Sequence, residues 1–344
     1  MVKNSDSEKS MANRILVTGG AGYIGSHVVR QLGEAGHQVW VLDNLSTGFA
    51  EAVLSGELVV GDCNDQHLVD RLLREHRIDS IMHFAAHTVV PESVADPVRY
   101  YDNNVGATLS LLKCALAADV SNFIFSSTAA VYGEPDTESV TEKSPLNPIS
   151  PYGRSKLISE WMLRDAAAAT SLKTGILRYF NVAGADPEAR IGQSTPRATH
   201  LIKVVCEAVT GKRDRVAIFG DDYPTPDGTG VRDYIHVEDL ASAHIAALAY
   251  LRREKDNLLV NLGYNHGYSV RQVIETAEAV ADCKLLVDTL PRRPGDLAMI
   301  LADNRKATEL LDWHPRFDDL GEIIKTALAW EKTLAARNRV PDPA

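Results

Sequence analysis

Arg14-Ile15-Leu16-Val17-Thr18-Gly19-Gly20-Ala21-Gly22-Tyr23-Ile24-Gly25 decides the fold. It begins as a short apolar run rich in β-branched residues, the pattern of a strand covered on both faces of a parallel sheet. Gly19, Gly22 and Gly25 follow at a spacing of three and open an amphipathic run that reaches Ala35. Gly36 ends that helix, and Gln38-Val39-Trp40-Val41-Leu42 is the next strand. Strand, glycine turn, helix and strand make a βαβ unit of the nucleotide-binding kind. The glycines allow a tight turn, close backbone approach to a pyrophosphate and close packing of helix on strand. The helix N-terminus around Tyr23 and Ile24 then presents N–H groups and the positive dipole end to phosphate.

Asp43 closes the second strand. A carboxylate there accepts hydrogen bonds from an adenosine ribose and repels a 2′-phosphate. Asn44 follows, with no arginine beside it, so NAD is the expected cofactor rather than NADP. Leu58-Val59-Val60 reads as the third strand, and Asp62 just beyond it faces the adenine or makes a simple turn. A fourth strand is expected over 79–86, with Phe84 near a small-residue end where a cofactor backbone passes. His83 and His87 straddle that end without an acidic or Cys partner at ligand spacing, so no metal site is expected. A long helix through Asn103, Asn104, Leu109 and Leu112 comes next, then a fifth strand over 122–128 that ends in hydroxyls. Ligands of an open parallel sheet bind beyond the carboxyl ends of its strands.

Ser150-Pro151-Tyr152-Gly153-Arg154-Ser155-Lys156 opens the following helix and puts Tyr152 and Lys156 one turn apart on one face. An ammonium beside a phenol favours the phenolate, lowers the pKa from about 10 and makes a proton acceptor. By spacing alone, ordinary helix surface is the commoner reading of such a pair.

Composition narrows the function. The chain has 344 residues, 36 basic and 46 acidic, with a net charge of −10, which argues against a general nucleic-acid or anionic-membrane surface. Cys63, Cys114, Cys206 and Cys283 are scattered, as idle thiols of a reducing compartment are. Residues 1–12 read as a polar flexible leader without a signal-peptide core, and no apolar run reaches membrane-spanning length, so a cytoplasmic protein is expected.

The glycine loop, the strand ending Ser126-Ser127-Thr128 and the Tyr-x-x-x-Lys pair together resemble the extended short-chain dehydrogenase/reductase superfamily. Within it the chain is similar to the UDP-glucose 4-epimerases, through 17–27, Tyr101-Asp102-Asn103-Asn104-Val105, Leu177-Arg178-Tyr179-Phe180-Asn181, 227–237 and 291–296. The resemblance implies Thr128, Tyr152 and Lys156 as the catalytic trio. It adds Asp62, Phe84, Asn104 and Phe180 to the cofactor shell. It assigns UDP-sugar contacts to Asn181, His200, Leu201, Val216, Phe219, Arg232, Arg293, Asp296 and Ile300, with Arg232 and Arg293 on the diphosphate, and implies a homodimer through helices near 101–118 and 152–169. His200 stands where an Asn is common, Thr88 where some members carry a lysine, and Ile300 where Tyr or Cys occurs. A 4,6-dehydratase would need an Asp-Glu pair where Ala129-Ala130 stand, and a UDP-glucuronate decarboxylase a Glu in that stretch. A 4-epimerase of another UDP-sugar (N-acetylhexosamine or pentose) and a non-catalytic NAD-binding regulator remain as alternatives.

The expected fold is α/β: a doubly wound parallel-sheet Rossmann domain with a smaller, discontinuous α/β substrate domain. The first spans 13–180 with a returning segment at about 231–262. The second takes 181–230 and 263–337, before a polar tail at 338–344. In it, Leu201 to Val209 reads as a helix, Val216 to Phe219 as a strand, and Ser269 as the cap of a helix to Ala281.

Overall fold

The computed structural model describes residues 13–195, 198–293 and 296–337; the leader expected over 1–12 and the tail over 338–344 lie outside them. The central sheet consists of β1 (Arg14–Thr18), β2 (Gln38–Asp43), β3 (Glu57–Val60), β4 (Ser80–His83), β5 (Asn122–Ser126), β6 (Lys173–Tyr179) and β7 (Leu258–Leu262). Their spatial order is β7-β6-β5-β4-β1-β2-β3, and every neighbouring pair is parallel. The order reverses between β1 and β4, so the crossovers leave on opposite faces and a crevice opens there beyond the carboxyl ends.

Two cores follow from the period of two in β1. Ile15 and Val17 pack with Val28, Val29 and Leu32 of the helix Tyr23–Glu34 and with Leu240 and Ala247 of the helix Val237–Glu254. Leu16 joins Leu72, Leu111 and Leu163, from the helices Gln66–Glu75, Ala107–Ala117 and Pro151–Ala169 on the other face. Each such buried aliphatic side chain contributes about 1.5–3 kcal/mol, which is why a strand apolar on both sides requires helices on both.

Three elements differ in detail from the sequence reading. β4 ends at His83 because the N–H groups of Phe84 and Ala85 turn back to the Thr18 carbonyl, at 2.9 and 3.1 Å. β5 ends at Ser126, and Thr128 caps the short 3-10 turn Ala129–Val131 instead of continuing the strand. The long helix is continuous from Pro97 to Ala117, but Tyr101–Gly106 is a π-helical turn that holds Asn103 and Asn104.

The smaller part carries a sheet in the order Tyr268–Ser269, Val231–Arg232, Met299–Ala302, Ser139–Val140, and a parallel pair of Val216–Phe219 with Val287–Leu290. Ser139–Val140 comes from the segment expected to belong wholly to the first domain. The helices Leu201–Val209, Val270–Ala281 and Leu320–Arg337 pack on one another. Ser269 makes a capping box, accepting from the Gln272 N–H at 3.0 Å while Gln272 Oε1 accepts from the Ser269 N–H at 2.8 Å. Among the described residues no helix is long and apolar enough to cross a membrane.

Candidate active site

A cleft of about 1870 Å³ follows the carboxyl edge of the sheet and continues into the smaller part. Asp43, Asn44 and Asp62 line it beyond β2 and β3, and Gly19, Gly22, Tyr23, Ile24 and Gly25 beyond β1. Phe84, Thr128, Tyr152 and Phe180 follow, then Asn181, His200, Leu201, Phe219, Arg232, Arg293, Asp296 and Ile300. Residues scattered from 19 to 300 thus share one wall because the topology delivers their strand ends to it.

The glycine loop fits a dinucleotide. Gly19 has φ +74°, and a Cβ on it would lie 2.5 Å from the Ala85 nitrogen. The helix Tyr23–Glu34 has Gly22 at its N-cap, no side-chain cap and no acidic residue in its first turn. Its first N–H groups and positive dipole end are thereby left for an anion. The carboxylate of Asp43 is held in place by the N–H groups of Ala21 and Leu45, both at 2.9 Å, with lone pairs remaining for ribose hydroxyls. Asp62 accepts from the Asn64 N–H at 2.8 Å and the Asn44 amide at 3.1 Å.

Three expected contacts stand back from the wall. Asn104 is buried with both ends of its amide engaged: its Oδ1 accepts from the His87 N–H at 2.8 Å, and its Nδ2 donates to the His87 carbonyl and to Ser155 Oγ, each at 3.0 Å. It ties the loop after β4 to the tyrosine helix. Lys156 lies under the wall, donating to the Ser126 carbonyl at 2.9 Å with its Nζ 4.8 Å from the Phe125 ring centre. Val216 is a correction. Its side chain is in the core, and the alternation along the strand turns Ala217 and Phe219 to the cleft instead.

Ser150 caps the helix Pro151–Ala169 through the Gly153 N–H at 3.1 Å, which sets Tyr152 in the first turn at the cleft and Lys156 one turn deeper. The lowering of the tyrosine pKa by its lysine neighbour is not the dominant effect. Burial pushes the Tyr152 phenol above its ordinary value, and hydrogen bonding with Thr128 opposes that. Burial likewise pushes Lys156 down to about 7, opposed by Glu160. Low dielectric disfavours both charged forms, so the phenolate needs a further positive charge in the cleft.

Behind the trio runs a polar network that the sequence reading did not find. Glu160 and Arg178 form a fully buried ion pair at 2.5 Å, and Ser127 Oγ donates to Glu160 at 2.5 Å. Arg178 also donates to the Tyr132 hydroxyl at 3.1 Å, which donates to Asn261 Oδ1 at 2.6 Å. Glu160 sits one turn beyond Lys156, and Ser127 precedes Thr128, so the network fixes both neighbours. The one signal was Arg178, a charge inside the buried stretch of its strand, whereas Glu160 is one of five charged residues on its helix. His83, the buried member of the histidine pair at the end of β4, has its Nδ1 2.7 Å from Thr18 Oγ1 and its Nε2 3.3 Å from Thr108 Oγ1, and among the described residues no metal-binding cluster occurs.

At the far end Asp296 accepts from Arg293 Nε at 2.8 Å and lies 3.8 Å from the Arg232 guanidinium. Arg293 lies over the Phe219 ring, 4.5 Å from its centre. Arg292 is a half-exposed ion pair with Asp222 at 2.6 Å. Trp330 and Glu331 of the helix Leu320–Arg337 also line the cleft, a contribution absent from the sequence reading.

Residues 15–263 match the NAD dependent epimerase/dehydratase family. A UDP-glucose 4-epimerase of Azospirillum brasilense is 52% identical over 322 residues, 93% of this chain and 92% of that one. Among solved structures, a UDP-glucose 4-epimerase of Brucella ovis in complex with NAD superposes with a TM-score of 0.90 at 44% identity, covering 92% of this chain and 98% of that one. One from Stenotrophomonas maltophila, with bound NAD and formylated UDP-arabinopyranose, gives 0.92 at 38% identity over 94% of this chain and 99% of that one.

Proposed function

The chain belongs to the NAD dependent epimerase/dehydratase family, and on that premise we propose that it interconverts UDP-glucose and UDP-galactose by inversion at C4. The carrying observation is the convergence, in one cleft, of a glycine-edged helix N-terminus, the Tyr152–Thr128 pair and the Arg232–Asp296–Arg293 cluster.

Gly19, Gly22, the first N–H groups of the helix Tyr23–Glu34, Asp43 and Asp62 hold the cofactor. Bound NAD supplies a two-electron acceptor at C4 that is regenerated in each turnover, together with a positive charge. Tyr152 takes the proton of the sugar 4-hydroxyl and gives it back after the face has changed. Lys156, held on the Ser126 carbonyl, stabilises the phenolate and contacts the nicotinamide ribose. Thr128 donates to the sugar 4-oxygen. Arg232 and Arg293 bind the diphosphate, while Asn181, His200, Leu201, Phe219, Asp296 and Ile300 line the nucleoside and sugar positions. Ala129 and Ala130 carry no proton-transfer group, which supports epimerisation over loss of water. The division into 13–180 with 231–262, and 181–230 with 263–337, is proposed as the cofactor and sugar-nucleotide lobes, with Ser139–Val140 and Val231–Arg232 lent to the second lobe's sheet, in a homodimer.

NMR of UDP-galactose incubated with the purified protein should show UDP-glucose appearing, and the reverse. Tyr152→Phe should retain NAD and lose at least about 10²-fold in kcat, as removal of a general base does. Failure to convert either sugar rejects the reading, and near-normal turnover by Tyr152→Phe rejects the base.

A further inference from the structure

Tyr223 is 5% exposed and forms part of the cleft wall on the side that carries Arg232, Arg293 and Asp296. Its hydroxyl is buried and has no hydrogen-bond partner among the described residues. Leaving a buried polar group unpaired costs about 1–3 kcal/mol. Tyrosine hydroxyls elsewhere in the protein show the usual outcome: Tyr132 reaches Asn261, Tyr179 meets Ser126, and Tyr264 reaches Asp239. Among the described residues Tyr223 is the tyrosine whose buried hydroxyl has no partner, and it lies in the field of three arginines.

Its ring is held in place. The Tyr223 N–H donates to the Gly228 carbonyl at 2.9 Å. The Arg292 guanidinium lies over the ring, 4.1 Å from its centre. Gly220, at φ +83°, packs so closely that a Cβ on it would lie 2.7 Å from the ring Cε2. The hydroxyl therefore cannot swing to find a partner elsewhere. Its electrostatic surroundings are those of Asp296, Arg292, Arg232 and Arg293. The Asp296 carboxylate pairs with Arg293 and lies 3.8 Å from Arg232. An incoming anion that takes the arginines releases Asp296 and brings strong acceptor oxygens to the same place.

We propose that the Tyr223 hydroxyl is a further nucleotide-binding group, donating a hydrogen bond to the diphosphate of the UDP-sugar. A phosphate oxygen suits the position because it accepts without donating, and the phenol donates where guanidinium groups have already gathered the negative charge. The inference rests on the UDP-sugar reading of the cleft.

Tyr223→Phe removes the hydroxyl and keeps the ring under Arg292. Calorimetric titration with UDP should show Kd weakened by about ten-fold, while the weaker binding of uridine is unchanged. KM for UDP-galactose should rise with kcat held. The variant without ligand should melt at the same temperature as wild type or higher, since its unpaired hydroxyl is gone, and the stabilisation produced by UDP should shrink. A UDP Kd within about two-fold of wild type, or a lowered melting temperature with no loss of UDP affinity, overturns the proposal. If the wild-type protein itself does not bind UDP, the substrate reading fails and this contact with it.

Discussion

Lys156 shows how far a single residue is legible. Its spacing from Tyr152 is written in the sequence, and the helix cap at Ser150 makes that spacing real. The direction of the pKa effects was not legible, because it depends on burial contributed by β5 and its neighbours. In the fold Lys156 titrates near 7, pushed down by burial, and the groups around it include the Glu160 carboxylate, the Ser126 carbonyl, the Phe125 ring and His83. In the unfolded chain it titrates near about 10.4. Below pH 7 both states carry the proton, and the fold bears the full penalty of a buried ammonium. Between 7 and about 10.4 the unfolded chain holds more protons, so stability rises with pH. Lys156→Met should therefore raise the melting temperature of the NAD-free protein most at pH 7 and below. The gain should shrink to little by about pH 10, where the penalty has gone. Loss of the bond to the Ser126 carbonyl offsets part of it. Turnover should fall by about 10²-fold or more. Calorimetry across that range is the measurement, and a difference between the proteins that does not change with pH would refute the account.

Elements were legible where the constraint is local. The glycine spacing needs only sterics: a Cβ on Gly25 would lie 2.2 Å from the Gly19 carbonyl oxygen and 2.9 Å from the Gly20 Cα. No side-chain rotation relieves a contact between backbones. Gly25→Ala should consequently push the helix Tyr23–Glu34 off the loop, weaken NAD binding and lower the melting temperature. Gly36→Ala is the control. Gly36 has φ +81° but nothing within 4 Å of an added Cβ, so that change should cost only about 1–2 kcal/mol of backbone strain and keep NAD. Equal NAD retention in both variants would count against the role of the loop. The π turn Tyr101–Gly106 was not legible, since its Asn104 is tied to His87 and Ser155 from other elements. The strand Val216–Phe219 was legible in its ends and its period. Phe219 lines the cleft as expected, while Val216, of opposite parity, turns to the core and leaves Ala217 on the cleft side.

At the scale of the molecule, the chain crosses between its two parts at strand ends, so the substrate groups reach the cofactor edge without any motif of their own. That is why Arg232, Arg293 and Asp296 entered the sequence reading only through resemblance, while Gly19 and Asp43 were readable from chemistry. The same scale bears on the proposed homodimer. The helices Ala107–Ala117 and Pro151–Ala169 cover one face of the sheet, and on their outer sides Leu109, Leu116 and Trp161 are 40%, 37% and 51% exposed. Val98, on the approach to the first helix, is 74% exposed. Large apolar side chains gathered on adjoining helices mark an association face, and the proposed homodimer would bury it against the same face of a second copy across a two-fold axis. Light scattering at micromolar concentration should give twice the mass of one chain. Trp161→Glu puts a charge into the centre of that face, at an exposed position where the fold of a single chain loses little. It should give the mass of one chain with a near-normal far-ultraviolet circular dichroism spectrum. A wild-type protein with the mass of one chain, or a Trp161→Glu variant still at twice that mass, would remove this face as the dimer contact.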